Sequence, residues 1–122
     1  MESLQIKKAE FLKEIASKRN CLLLSKFGEF DFLQAIENAD EKLDSTNVEY
    51  INSMFFSWRT VESVSNTKIV FNSCGEKSSL LLNGDGEYKF YKVIGNYEID
   101  YLVIVHEYSE IKSTIIYGIE KA

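Results

Sequence analysis

Four carboxylates, Glu37, Asp40, Glu41 and Asp44, fall at three- and four-residue spacings within one short stretch of the chain. On a helix that spacing sets side chains along one stripe, and like charges so placed cost a few tenths (~0.2–0.5) of a kcal/mol per pair. The expected compensating use is electrostatic capture of a basic protein partner, with fast, salt-sensitive association. The plainer alternative is a solvated face that keeps the chain dispersed. The net charge is concentrated on this stretch. Residues 1–26 hold six Lys/Arg and three acids (+3), and residues 27–49 hold seven acids against Lys42 alone (−6). The remainder holds seven bases and nine acids (−2), for a formal charge of −5. This balance disfavours direct nucleic-acid binding, because phosphate contacts require a basic surface.

A second constellation surrounds the one histidine. His106 is followed by Glu107, and Lys112, Ser113 and Thr114 fall where a hairpin would bring them across from it. An imidazole, a carboxylate and a cation on one sheet could perform acid–base chemistry such as metal-independent RNA cleavage. Alternatively, a curved sheet could enclose a small-molecule pocket lined by Tyr101 and Tyr117. Other candidates carry less. Asn83-Gly84-Asp85-Gly86-Glu87 is too short for a calcium loop and reads as a tight turn, and it lacks nucleotide-loop spacing. No G-x-S-x-G elbow occurs. Cys21 and Cys74 lie far apart outside any C-x-x-C pattern, so both read as reduced structural thiols, and with one His they make a poor zinc set. No metal or other cofactor is expected.

These residues need elements to position them. Ser3 to Asn20 reads as a helix, with Ser3 as N-cap, Leu4, Lys8, Phe11, Leu12 and Ile15 on one face and Asn20 as the left-handed cap. Cys21 to Leu24 is a short apolar run of either strand or connection type. Asp31 to Leu43 reads as the second helix, with Asp31 and Gln34 at capping-box spacing and Leu33, Ile36, Ala39 and Leu43 along its stripe. Val48 to about Trp58 has helical spacing but aromatic and β-branched content, so residues 48–64 stay open between helix and strand.

Strands follow. Lys68 to Phe71 and Ser78 to Leu82 flank a turn at Gly75-Glu76-Lys77. A two-residue loop at Gly95-Asn96 would pair Ile94 with Tyr97, Phe90 with Tyr101 and Tyr88 with Val103. Tyr101 to Val105 is apolar on both faces, as a strand covered on both sides requires. A bulge or longer loop near Ser109-Glu110 is expected to keep Ile111, Ile115, Tyr117 and Ile119 on the face of Val103. The last run, Ile111 to Ile119, could also be an exposed edge that pairs with its own copy.

The chain has 122 residues and 45% hydrophobic content, which suits one α+β domain over 1–122. Its expected fold is two or three N-terminal helices packed on a C-terminal four- to five-stranded antiparallel meander. Met1-Glu2-Ser3-Leu4-Gln5-Ile6-Lys7-Lys8 has no signal-peptide pattern, and no apolar run approaches the roughly 18 residues of a membrane span. A cytoplasmic location follows as the default. The first functional expectation is a non-enzymatic, small acidic binding module that masks or inhibits a basic protein. Toxin-neutralising immunity proteins and phage-encoded inhibitors of nucleases share that profile of composition. Glu37, Asp40, Glu41 and Asp44 would supply recognition, and exposed aromatics the anchors.

Overall fold

The computed structural model describes residues 1–43 and 58–121. Eight strands and two helices occur among them: β1 (Ser3–Ile6), α1 (Lys8–Ala16), β2 (Asn20–Phe27), α2 (Phe32–Glu41) and β3 (Trp58–Val64) come first. They are followed by β4 (Lys68–Ser73), β5 (Glu76–Leu81), β6 (Glu87–Val93), β7 (Ile99–Tyr108) and β8 (Ile111–Glu120). All strands join one antiparallel sheet in the order β1-β6-β7-β8-β2-β3-β4-β5. The expected helical layer on a four- or five-stranded meander is therefore wrong. The described residues are mostly sheet, with one short helix among them on each face.

The first difference is at the N-terminus. Ser3–Ile6 pairs with β6 from Ser3↔Val93 to Ile6↔Phe90, and α1 starts only after Lys7, which caps it without a side-chain bond. Leu4 extended the helical spacing by coincidence. It is 66% exposed, whereas Phe11 and Ile15 are fully buried. Asn20, expected as a helix cap, opens β2 instead. Asp44 and residues 48–57 lie outside the described residues, and from Trp58 the chain is strand.

The sheet curls around α1. The rings of Phe71 on β4 and Tyr117 on β8 stack with centroids 5.4 Å apart, although β3 and β2 lie between these strands. Three spacings across a flat sheet would be roughly 14 Å. On this concave face Phe11, Leu12 and Ile15 of α1 pack with Phe90, Leu102, Ile104 and Ile119. On the opposite, convex face Ile36 of α2 packs with Val93, Tyr101, Val103 and Ile116. Residues 101–105 are all buried, because β7 carries apolar side chains to both layers.

Two registers differ from expectation. β6 and β7 pair Val93 with Tyr101, Phe90 with Ile104 and Tyr88 with His106, so residues 94–98 form a longer loop instead of a two-residue turn. Gly95 shows why: its backbone lies so close to β7 that a Cβ would come 1.8 Å from the Ile99 carbonyl oxygen. The turn after β7 is shorter than expected. Tyr108 pairs directly with Ile111 around Ser109 and Glu110, with Ser109 at φ 57° and no bulge along the pair. Ile115, Tyr117 and Ile119 consequently face the α1 side, and only Ile116 joins Val103 on the α2 side. β8 is also an interior strand between β7 and β2, so it offers no edge for self-pairing.

Candidate partner-binding surface

Helix α2 begins as its sequence dictates. The Asp31 carboxylate accepts hydrogen bonds from the backbone amides of Leu33 and Gln34 at 3.0 and 3.2 Å, occupying donors that the helix start leaves free. Ile36, Ala39 and Leu43 are buried. Asp40 follows Ile36 by four residues and precedes Leu43 by three, so helix geometry turns it inward with them. It is 1% exposed. Asp40 Oδ1 accepts from the Tyr101 hydroxyl at 2.9 Å, and Oδ2 accepts from the Asn96 amide at 3.0 Å.

The four carboxylates are thus divided by the fold. Asp40 is an internal brace, Glu41 is exposed, Glu37 is partly exposed with its carboxylate 3.7 Å from the Met1 amino group, and Asp44 lies outside the described residues. Burial pushes the Tyr101 hydroxyl well above its usual pKa, and the neighbouring Asp40 charge adds to that shift. The phenol accordingly stays protonated and keeps donating to the carboxylate.

Asp40 braces the loop of residues 94–98. Asp100 assists by accepting from the Gly95 amide at 3.0 Å, while Lys121 donates to the Gly95 carbonyl at 2.5 Å and lies 3.7 Å from Asp100. The loop so held leaves Ile94 58% and Tyr97 39% exposed. Leu4 stands on the neighbouring β1, opposite Lys92. Met1, Glu37, Glu41 and Asn96 line a cleft of about 170 Å³, and Glu2, Ser3, Leu4, Lys92 and Ile94 line another of about 380 Å³. Both clefts run along the Met1–Leu4 and Ile94–Asn96 segments. The cleft with Leu4 and Lys92 opens toward the α1 side, where Lys92 pairs with Glu14, and the cleft with Glu37 and Glu41 opens toward the α2 side. The loop with exposed Ile94 and Tyr97 therefore stands between an apolar and an acidic flank.

Nothing in the sequence singles out Leu4, Ile94 and Tyr97, because Leu4 continues the spacing of a helix face and the other two fit a paired hairpin. The available signal was Asp100, a carboxylate close behind a Gly-Asn loop and able to bond its amides.

The histidine constellation does not assemble. His106 Nε2 donates to the Asp85 carbonyl at 2.6 Å, and its ring stacks on Tyr88 at 4.0 Å with a 4° tilt. Ser113 does lie opposite His106, but strand alternation sends Glu107 to the other face, where Lys112 is 3.9 Å away. Tyr101 and Tyr117 also lie on opposite faces of the sheet and cannot line one pocket. Among the described residues, no three His, Cys, Asp or Glu side chains are grouped to hold a metal ion, and no helix is long and apolar enough to cross a membrane.

The chain matches no protein-family model, no curated protein and no solved structure.

Proposed function

We propose that this chain is a protein-binding module that captures the basic surface of a partner protein at the end of α2, masking that surface. The observation that carries the reading is the loop of residues 94–98, which buried Asp40 holds in place with Ile94 and Tyr97 exposed and with Asn96 sharing a cleft with Glu37 and Glu41. Apolar anchors supply contact area, and the carboxylates steer Lys- or Arg-rich surfaces and disfavour acidic ones. Asp40 contributes by holding the loop and has no direct contact with the partner.

The test is affinity capture from the source cells at low salt, using the unaltered protein beside an E37Q/E41Q variant and an I94A/Y97A variant. A basic protein retained by the first, released as salt rises and depleted on both variants supports the reading. Identical retention on all three, or retention indifferent to salt, contradicts it.

A further inference from the structure

Among the described residues the sheet has two outer edges, β1 and β5. They are not equivalent. β5 carries Glu76 and Lys77, and Lys77 reaches across to Glu62 on β3 at 3.2 Å, the kind of charged edge that resists pairing. β1 reads Ser3-Leu4-Gln5-Ile6, has no charged side chain, and is exposed at three of its four residues. Its only strand neighbour among the described residues is β6. In an antiparallel ladder alternate residues turn their N–H and C=O away from the neighbouring strand, so half of β1 directs backbone donors and acceptors outward.

The two faces of this edge are lined differently. Ile6 packs with Phe90 on the α1 side, and strand alternation puts Leu4 on the same side. The cleft of about 380 Å³ lies there, with Leu4 and Ile94 as its exposed apolar members. Of its two charges, Lys92 is taken up by Glu14 at 3.0 Å and Glu2 remains. Ser3 and Gln5 turn the other way, opposite Val93 and Tyr91 of the α2 layer. On that side Glu37 and Glu41 line the cleft of about 170 Å³, and Glu41 has no ion pair among the described residues. A strand laid beside β1 sends consecutive side chains to opposite faces. One goes toward Leu4 and Ile94, and the next toward Glu37 and Glu41.

We propose that the outer edge of β1 accepts an extended segment of the basic partner as an additional strand, a segment in which apolar residues alternate with Lys or Arg. The β1 backbone supplies hydrogen bonds, the apolar residues cover Leu4 and Ile94, and the cations meet Glu37 and Glu41. This inference rests on the partner-binding reading and adds the mode of recognition to it.

Titration of the isotope-labelled full chain with end-blocked peptides, followed by NMR, tests it. The probe is a peptide of alternating lysine and valine, three of each. Its controls are the same residues with all lysines before all valines, the alternating peptide with every backbone nitrogen methylated, and an alternating peptide of glutamate and valine. The probe should shift the Ser3–Ile6 and Ile94 backbone amides saturably. The block peptide, of equal charge, should bind about tenfold more weakly, and the methylated and glutamate peptides should leave these resonances in place. Absence of saturable change at β1, equal binding of the alternating and block peptides, or shifts at Glu76–Leu81 in their place overturns the proposal. So does movement of the Ser3–Ile6 resonances on dilution of the peptide-free protein, which would put a second copy of the chain on this edge. The partner surface is judged separately: salt-sensitive capture that is lost on E37Q/E41Q, with no peptide bound at β1, would keep that surface and reject the added strand.

Discussion

The loops at the two ends of the β6–β7 pair solve the same problem in different ways. Each presses a glycine against β7: a Cβ on Gly95 would meet the Ile99 carbonyl at 1.8 Å, and one on Gly86 the Glu107 carbonyl at 2.1 Å. The loop of residues 82–86 buries its own apolar residue, Leu82, at 4% exposure. Its polar contacts are neutral, with Tyr88 accepting from the Gly84 amide at 3.0 Å and His106 donating to Asp85. The loop of residues 94–98 turns Ile94 and Tyr97 outward and is held by Asp40, Asp100 and Lys121. A loop that sinks its apolar side chain needs little else to hold it. One that presents apolar side chains to a partner must be anchored by polar groups beneath it.

The sharpest way to break this contrast is to truncate the apolar residue of each loop. Leu82→Ala should cost about 2–4 kcal/mol in denaturant unfolding, as a buried leucine does. Ile94→Ala should change stability by no more than about 0.5 kcal/mol while weakening partner capture. Equal stability losses would mean that Ile94 belongs to the core.

Removing a polar anchor should have the next largest effect. Tyr101→Phe leaves Asp40 Oδ1 buried without its donor and should cost about 1–3 kcal/mol. Hydrogen exchange of the Gly95 and Asn96 amides should rise with it, while exchange at Gly84 stays unchanged. Uniform acceleration at both loops would refute the assignment of Asp40 and Tyr101 to one of them. At the other end, Tyr88→Phe removes the acceptor for an exposed amide and should cost about 0.5–1 kcal/mol, with partner binding unaffected.

The smallest effect near neutrality is that of pH. Burial raises Cys21 from 9.0 to about 12 and Tyr117 from 10.0 to about 12. Above these ordinary values the unfolded chain releases protons that the fold retains, so stability is full below about pH 9 and declines between about 9 and 12. Cys21→Ala should delay the onset to about pH 10, a shift read directly from unfolding midpoints across pH. An unchanged onset would show that Cys21 does not titrate in that range on unfolding. Neutral thiol reagents should modify exposed Cys74 far faster than buried Cys21.

How much of this was legible depended on how local the cause was. The α2 cap followed from Asp31, although the Gln34 side chain bonds Asn38 instead of reaching back as a capping box requires, and the doubly buried β7 followed from an unbroken apolar run. β1 was hidden because four residues without turn signals extended a helical pattern already strong at Phe11 and Ile15. The 94–98 loop was hidden because one of its anchors, Asp40, comes from 56 residues earlier than Asn96. Asp40 itself was readable: its spacing from Ile36 and Leu43 pointed inward, but its charge led to the opposite assignment.

The most direct test of the account is the salt dependence of association between the captured partner and three forms of the protein: unaltered, E37Q/E41Q and Y88F. The account predicts that the double variant associates about tenfold more slowly at low salt and with a flatter salt dependence, while Y88F matches the unaltered protein. Equal slopes for the unaltered and double-variant proteins would contradict it.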